Sequence, residues 1–299
     1  MRFNLLMPMR ATKHYDRWIE DAHLVDVARL AEGAGFDAVS MTEHPFPDQA
    51  FLAQGGHHSF DPFVALSFMG AVTTRVKLVT FVLVSGYRNP YVTSKALASL
   101  DKLSGGRVIA GMAAGYLRAE FQALGADWED RGALFDEAID AMRAAWTGEP
   151  VEIDGPFTAH GNVQLPPPAQ SGGPPIWMGG NSGAARRRAV ARGQGWMPIG
   201  QQAAMAKITK TPPLETIPQL AELIGQVQTA RSDSGGPPLD ICFSPFGDRE
   251  DVDSWAAQIK RDLASYEDAG VTWMTIEPHA RSFGEFRDAV ARVADLVLA

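Results

Sequence analysis

Short apolar segments alternate with longer segments of helical period along the whole chain. Eight of the apolar segments have the length of a β-strand, and each is an almost continuous apolar run. Such runs are typical of parallel strands that are buried on both faces. The predicted strands occupy residues 3–7, 38–42, 76–82, 108–111, 175–178, 195–199, 239–244 and 273–277.

The segments between the predicted strands have the signals of helices. Leu24, Val27, Ala28 and Ala31 fall on one helical stripe. Asn89-Pro90 supplies a polar cap and a first-turn proline for another helix, which Gly105-Gly106 ends. Further helices are predicted over residues 62–71, 131–146, 184–192, 214–230, 252–268 and 283–298. Eight strands in strict alternation with helices predict the α/β class and closure into a (β/α)8 TIM barrel.

Three segments depart from the plain repeat. Residues 46–60 form a loop containing glycine and histidine after the second strand, and residues 151–173 follow the fourth strand and its helix. Turn signals at Asp154-Gly155 and His160-Gly161 predict a small hairpin in the second of these insertions. Residues 199–213 are weakly periodic and are predicted to be mobile. We expect residues 1–299 to form one barrel domain with loop insertions after strands two and four.

Composition and charge restrict the partners. The 299 residues are 45% hydrophobic and carry a formal net charge of −8, which disfavours nucleic acid and anionic membrane surfaces. No apolar stretch reaches the roughly 20 residues that span a bilayer, and the short apolar run at the N-terminus lacks the features of a signal peptide. Cys242 is the one cysteine and lies in an apolar run, so we expect a packed core thiol and a cytoplasmic protein.

A glycine-rich turn joins the fifth predicted strand to its helix. In TIM barrels the loops after the strands build the active site, and Gly179, Gly180, Asn181 and Ser182 occupy such a loop. Main-chain amides at a helix start attract phosphate, and glycines let an anion approach them closely. A tight turn with Ser182 as helix cap is the alternative interpretation. Arg186–Arg188 follow on the helix, but three successive residues cannot all face one ligand.

Glu43 and His44 stand where the second strand reaches the barrel rim. A carboxylate and an imidazole at that position can bind a ring edge or exchange protons, so both are candidate catalytic residues. His57-His58 and Asp61 lack any recognised ligand spacing, and no metal is therefore predicted.

Two further strand ends carry candidate cofactor contacts. Small residues before Gly115 permit the close approach of a flat ligand, and the Tyr116 hydroxyl can reach the pocket as a donor or pack on the next helix. Thr80, Phe81 and Val82 end the third predicted strand in an apolar run, which either contacts the cofactor or only fills the barrel interior.

These strand ends together resemble the bacterial luciferase-like flavin-dependent oxidoreductase superfamily. The matching stretches come in the expected order, and the combination of LSGGR with the turn after strand four is the most specific. They are Glu43-His44, Arg88-Asn89-Pro90, Leu100–Arg107, Gly111–Tyr116 with Glu120-Phe121, Arg131 and Glu137, and Pro174-Pro175-Ile176 leading into Gly179-Gly180. The resemblance covers roughly residues 1–200, and the remainder matches only as barrel pattern.

The resemblance implies a flavin or deazaflavin whose ring stands in the barrel mouth. It implies a cis non-prolyl peptide bond at Phe81–Val82, and it assigns His44 and Glu43 to the ring or substrate. It assigns the phosphate to Gly179, Gly180, Asn181 and Ser182, and it implies a homodimer formed through barrel helices.

The deazaflavin-dependent sugar-phosphate dehydrogenases of this superfamily carry an acid where Tyr116 stands and a tryptophan near Asp48. This chain has neither residue, so a sugar phosphate is not the expected substrate. The LSGGR-to-Tyr116 region is similar to the subgroup assigned to coenzyme F420, which implies hydride transfer to or from a small organic molecule.

Three alternatives remain at this point. The first is an FMN-dependent monooxygenase supplied by a separate flavin reductase. The second is a flavin-binding protein without catalysis, whose relatives have a truncated barrel. The third is a barrel aldolase or hydrolase, which would need a Schiff-base lysine or paired carboxylates at the strand ends, where only Glu277 offers a carboxylate of this kind.

Overall fold

Parallel strands close into a barrel. The computed structural model describes residues 1–8, 24–202, 206 and 211–298. The strands are β1 (Arg2–Leu6), β2 (Ala38–Met41), β3 (Lys77–Thr80), β4 (Leu83–Val84), β5 (Val108–Ala113), β6 (Val151–Ile153), β7 (Ala159–Asn162), β8 (Ile176–Gly179), β9 (Gly195–Met197), β10 (Asp240–Phe243) and β11 (Trp273–Ile276). Eight of them form the ring β1-β2-β3-β5-β8-β9-β10-β11, which closes where β11 pairs with β1. The predicted (β/α)8 barrel is confirmed, with all eight strands.

Helices follow each barrel strand. They are α1 (Leu24–Gly33), α2 (Gln49–Ala53), α3 (Pro62–Ala71), α4 (Pro90–Ser104), α5 (Arg118–Ala123), α6 (Arg131–Trp146), α7 (Gly183–Arg192), α8 (Ile217–Asp233), α9 (Val252–Asp268) and α10 (Phe283–Val293), with a 3-10 turn at Ser85–Tyr87 and a π turn at Ala294–Leu298. The stripe of Val27, Ala28 and Ala31 is buried, as its spacing predicts. Among the described residues, none of these helices is both long and apolar enough to cross a membrane.

The start and stop signals of α4 act as predicted. Asn89 accepts a hydrogen bond from the Tyr91 amide at 2.9 Å, and Pro90 occupies the first helical position, where its missing N–H costs nothing. Gly105 ends the helix with φ +73°, in the left-handed region that favours glycine.

The start of α8 and the end of the last helix differ from the prediction by three residues or more. Helix α8 begins at Ile217 and not at residue 214, because Leu214 is fully buried and exchanges both backbone hydrogen bonds with Gln201, at 2.8 and 2.9 Å. Thr216 then caps the helix through the Gln219 amide. The last helix keeps α geometry only to Val293, after which the chain continues in the π turn.

The insertions have the predicted character. Residues 46–60 contain the short helix α2, and residues 151–173 contain an antiparallel hairpin formed by β6 and β7. A cis bond at Leu165–Pro166 follows the hairpin. Residues 199–213 lie partly outside the described residues, so their predicted mobility stays a prediction.

The barrel interior is apolar with one polar layer. Its buried apolar residues include Ala38, Val79, Ile109, Trp177, Met197, Cys242 and Trp273. The buried Asn4 amide nitrogen donates to the hydroxyl oxygens of Ser40 at 2.8 Å and Thr275 at 3.1 Å. The three strands β1, β2 and β11 are therefore tied together inside the barrel by side chains as well as by backbone pairing.

Cys242 is the packed core thiol that the sequence predicts. Its sulfur lies 3.2 Å from the Thr275 hydroxyl, and burial raises the pKa of the thiol to about 12. Only the thiolate reacts readily with disulfide reagents. We therefore expect the native protein to react with Ellman's reagent at neutral pH at least about 100-fold more slowly than a free thiol. The guanidinium-unfolded chain should release one equivalent, and rapid reaction of the native protein would contradict this burial.

Candidate active site

His44 lies just after β2 at the barrel rim and is held by a buried glutamate. The Nδ1 atom of His44 lies 3.0 Å from the Oε2 atom of Glu120 on α5, and both side chains are buried. The structure thus brings together two residues 76 positions apart in the chain. Nε2 of His44 makes no hydrogen bond within the described parts of the chain, so it is the ring atom available to a ligand.

Besides contacting His44, the Glu120 carboxylate accepts two hydrogen bonds. The Tyr87 hydroxyl donates to its Oε2 atom at 2.7 Å, and the Phe46 amide donates to its Oε1 atom at 3.1 Å. Burial raises the pKa of Tyr87 far above its usual range, with the Glu120 contact adding to the shift, so this phenol stays a donor. Because Glu120 accepts from both Tyr87 and Phe46, we assign the proton between Glu120 and His44 to Nδ1 of the imidazole.

Aromatic rings surround His44 on the side of the rim. The His44 ring centroid lies 4.8 Å from those of Phe51 and His57 and 6.2 Å from that of Tyr116. Phe51 comes from α2, the short helix of the inserted loop after β2. The Tyr116 side chain therefore stands beside the predicted catalytic histidine, as its candidate role requires.

The Glu43 carboxylate contacts residues other than those around His44. Its Oε2 atom accepts a 2.6 Å hydrogen bond from the Val84 amide, and its Oε1 atom is paired with Arg88. Arg88 also donates to the Oδ2 atom of Asp61 at 2.9 Å. These contacts fasten the chain after the third barrel strand to the end of β2. Both carboxylate oxygens of Glu43 are bound by other parts of the chain, which does not favour a catalytic role. That role stays a prediction.

The Glu43–Arg88 ion pair is buried enough to shift the pKa of both groups. Burial raises the pKa of Glu43 above its ordinary 4.5, although Arg88 opposes the shift. Burial alone would lower the pKa of Arg88, but the attraction of Glu43 and Asp61 outweighs it and the net shift is upward. Removing one partner of such a pair leaves an uncompensated buried charge.

We expect Arg88→Leu to lower the free energy of unfolding by about 3 kcal/mol at neutral pH, the low end for breaking buried pairs because Arg88 is part-exposed. A raised folded-state pKa gives Glu43 a contribution that is complete below pH 4.5 and is lost as the pH rises through the folded value. Without Arg88 the folded pKa rises further, so the deficit of the variant should shrink towards acid pH.

Urea unfolding of Arg88→Leu at neutral pH and near pH 4 measures this difference. The double variant Glu43→Gln/Arg88→Leu is the control, because it removes the charge and should lose the pH dependence. A deficit in the single variant that is equal at both pH values would show that Glu43 does not cause it.

The end of the third barrel strand carries the cis bond that the resemblance implies. The Phe81–Val82 peptide is cis and separates β3 from β4, which interrupts the single strand predicted over residues 76–82. The Thr80 hydroxyl donates to the Gly111 carbonyl at 2.8 Å, so it links β3 to β5. The prediction of the cis bond is confirmed, and contact of Thr80, Phe81 and Val82 with a cofactor stays a prediction.

Small residues line the space between this bulge and the neighbouring strand ends. A Cβ atom on Gly179 would lie 3.3 Å from the Val82 side chain and 3.5 Å from that of Ala113. Gly115 has φ +85°, and a Cβ there would lie 2.6 Å from Val84. Gly179 therefore lies beside Val82 and Ala113 at neighbouring strand ends, whereas Gly115 packs closely against Val84, and contact of Gly115 and Gly179 with a cofactor stays a prediction.

The glycine-rich turn after β8 opens α7 at the same rim. Gly180 has φ +109°, and its amide donates to the Met197 carbonyl at 3.1 Å. The Ser182 hydroxyl caps the helix by accepting from the Ala185 amide at 3.1 Å. Within the described chain, the amides of Gly183 and Ala184 have no hydrogen-bond acceptor. The interpretation of Ser182 as helix cap is confirmed, and anion binding at the two remaining amides stays a prediction.

The Asn181 side chain links the glycine-rich turn to the segment after β9. Its Oδ1 atom accepts from the Ile199 amide at 2.8 Å, and its Nδ2 atom donates to the Ile199 carbonyl at 2.7 Å. The side chain is buried, so its amide is used to join the turns after β8 and β9. A phosphate contact by Asn181 stays a prediction that these bonds do not favour.

The three arginines on α7 diverge, as their spacing predicts. Arg188 forms a two-point ion pair with Asp136 at 2.8 and 2.9 Å, and Arg186 donates to Gln226 at 2.9 Å. Arg187 is exposed. The helix start therefore relies on its backbone for positive potential more than on these side chains.

Sequence reasoning did not assign a role to Glu120, Tyr87 or Phe51. In the sequence, Glu120 is notable only as part of a family motif. The feature that distinguishes it is a carboxylate on a short helix that is fully buried in the fold. A buried carboxylate requires partners, but nothing local identifies His44 and Tyr87 as those partners.

Fold, cis bond and strand-end residues together define a luciferase-like barrel. Residues 1–213 match the family model described as luciferase-like monooxygenase, and the chain belongs to this family. It is 34% identical over 181 residues to the F420-dependent glucose-6-phosphate dehydrogenase of Nocardia farcinica, covering 58% of this chain and 52% of the relative. It is 33% identical over 168 residues to the FMNH(2)-dependent dimethylsulfone monooxygenase of Pseudomonas fluorescens, covering 55% and 44%.

The fold is also similar to solved structures over its full length. The monooxygenase RslO1 from Streptomyces bottropensis superposes with a TM-score of 0.80 at 22% identity, covering 100% of this chain and 99% of that one. The chain spans about half the length of the two curated relatives above. Family and fold follow from these matches.

Proposed function

We propose that the protein is an oxidoreductase that transfers a hydride between coenzyme F420 and a small organic substrate. The observation that carries the proposal is the position of the α7 start, which follows the carboxyl end of β8 as His44 follows that of β2. All barrel strands are parallel, so both lie at the carboxyl ends of the strands, where barrel active sites form. The F420-dependent relative supports this choice of cofactor.

The residues present fit a phosphate-bearing tricyclic cofactor. Two amides at the α7 start are available to the phosphate, and a glycine at position 180 lets the chain take φ +109° in that turn. Gly179 adds little bulk beside Val82 and Ala113. The amides of Gly183 and Ala184 would hold the phosphate end, within the turn formed by Gly179, Gly180 and Ser182. The deazaflavin, when bound, supplies hydride chemistry with little oxygen reactivity.

His44 is the residue that we assign to proton transfer. Glu120 keeps the proton on Nδ1, so Nε2 faces the substrate as an acceptor when the ring is neutral and as a donor when it is protonated. A general acid or base must lie within hydrogen-bond reach of the atom that it serves. Tyr116 stands beside this ring and can orient the same substrate.

The alternative is an FMN-dependent monooxygenase that takes reduced flavin from a separate reductase. The dimethylsulfone monooxygenase relative supports it at nearly the same identity as the F420-dependent relative. Anaerobic and aerobic turnover separate the two functions. Turnover of F420 that is independent of dioxygen supports our proposal, and product formation only with reduced FMN and dioxygen would replace it.

We further propose that the whole chain acts as one barrel domain in a cytoplasmic homodimer. Helix α3 supports the dimer, because it buries Leu66 and Met69 on one face while Val64 and Phe68 stay 57% and 59% exposed on the other. Exposed apolar surface of this kind is typical of interaction sites.

A Val64→Asp/Phe68→Glu variant should be monomeric, because it would place charges in the proposed interface. Light scattering after size exclusion should give a dimer for the natural chain and a monomer for the variant, with unchanged circular dichroism. A monomeric natural chain, or a variant that remains dimeric, would reject this interface.

A further inference from the structure

The surface beside His44 is aromatic and open to solvent. Tyr116 is 45% exposed and Phe46, two residues after His44, is 69% exposed. The centroids of Phe51 and Tyr116 are 6.3 Å apart and both rings contact that of His44. We define Phe46, Phe51, His57 and Tyr116 as the aromatic wall. Large apolar groups at the mouth of a site are covered when a ligand binds, which is the usual reason for their exposure there.

The loops that form this wall carry few cations. Residues 42–61, 85–89 and 114–131 contain seven carboxylates, three arginines and no lysine. Arg88 is paired with Glu43 and Asp61, and Arg118 lies 3.3 Å from Glu129. Arg131 donates to the Trp128 carbonyl and lies 3.8 Å from the ring centroid of that residue. Each arginine of these three loops is therefore already engaged within the described chain, and the loops offer an anion little attraction.

His44 supplies a hydrogen-bonding position beside the wall. Nδ1 of His44 is bound to Glu120, which leaves Nε2 to meet an oxygen atom of a bound molecule. Apart from Nε2, the polar atoms of this surface belong to the rings of His57 and Tyr116, so apolar ring faces outnumber the hydrogen-bonding positions. Few polar groups in an apolar pocket fix the orientation of a ligand, while the rings determine its shape.

We propose that the aromatic wall selects an uncharged substrate with a flat apolar body and one carbonyl or hydroxyl oxygen. The body packs against Phe51 and Tyr116, and the oxygen binds Nε2 of His44. This inference builds on the proposed oxidoreductase function and specifies its substrate class. It differs from the phosphorylated sugar for which the Nocardia farcinica relative is named.

Ligand-observed NMR on the natural chain without cofactor tests the substrate class. The probes are the aryl ketones acetylnaphthalene and tetralone, cinnamaldehyde, and the phosphorylated sugars glucose-6-phosphate and ribose phosphate. We expect the neutral aryl compounds to bind at least about tenfold more tightly than the phosphorylated sugars. Equal affinity, tighter binding of the sugars, or no binding of any aryl compound overturns the proposal.

Variants locate the binding surface. Tyr116→Glu introduces a charge at an exposed position, and Phe51→Ala removes one ring. Each should weaken aryl binding by about fivefold or more, while Leu103→Ala, at an exposed position on α4, should leave it unchanged. Unchanged affinity in both wall variants overturns the proposal. Tyr116→Glu alone decides the matter if Phe51→Ala does not fold.

These measurements are independent of the cofactor. Binding of aryl compounds without any F420 binding would leave the wall in place and reject the proposed function. Binding of F420 together with a preference for phosphorylated sugars would support the proposed function and reject the proposed substrate class.

Discussion

Replacement of His44 by alanine should lower turnover with F420 by about 10²- to 10⁴-fold, the usual contribution of a general acid or base. The reason is that Nε2 of His44 is the ring nitrogen left available once Glu120 holds Nδ1. Cofactor affinity should change little, because the proposed phosphate-binding turn is formed by a different strand end. Steady-state turnover and an equilibrium titration of F420 on the same preparation measure the two effects separately.

Glu120→Gln and His160→Ala are the companion variants. The glutamine keeps the shape of Glu120 but also offers a donor to His44, so the proton is no longer fixed on Nδ1, and we expect an intermediate loss of turnover. His160 lies on the exposed hairpin and serves as the matched histidine control with unchanged turnover. Full activity of His44→Ala would remove His44 from the reaction.

Replacement of Gly183 by proline should weaken F420 binding by about 10- to 100-fold, the range for losing one hydrogen bond to a charged group. Proline removes the N–H at the first position of α7, where a helix tolerates its absence. The preceding Ser182 already has φ −63° and ψ 154°, the extended conformation that a following proline requires. The fold should therefore survive while the proposed phosphate donor is lost.

Gly183→Ala is the matched control, since it adds a side chain but keeps the amide. A Cβ atom at this position would approach only the end of the Arg187 side chain, at 3.3 Å. The alanine variant should bind F420 nearly as well as the natural chain, and both variants should keep the natural melting temperature within a few degrees. Equal affinities of the proline and alanine variants would show that this amide does not bind the phosphate.

The barrel itself was predictable because its signals are local. Apolar runs identify strands buried on two faces, and Asp61-Pro62 and Asn89-Pro90 start α3 and α4 by capping chemistry that needs no distant partner. The start of α8 was not predictable in this way. Leu214 belongs to the segment predicted as helix, but its backbone pairs with Gln201, thirteen residues earlier.

The candidate site was predictable in part. His44 and the turn at Gly180 stand at strand ends, and the position in the fold makes them candidates before any contact is known. Their partners are set by tertiary structure: Glu120 comes from a helix 76 residues away, and Asn181 is bound to Ile199. The sequence placed Glu43 beside His44 as an equal candidate. Successive side chains along an extended chain face opposite ways, however, and Glu43 contacts Arg88 while His44 contacts Glu120.

Titration of the natural protein with coenzyme F420 and, separately, with FMN tests the central claim most directly, because that claim concerns the cofactor held at the start of α7. We predict saturable binding of one F420 per chain with a dissociation constant in the range of about 1 to 10 μM, and much weaker binding of FMN. Tight binding of FMN alone would support the FMN-dependent monooxygenase instead, and binding of neither cofactor would contradict both functions.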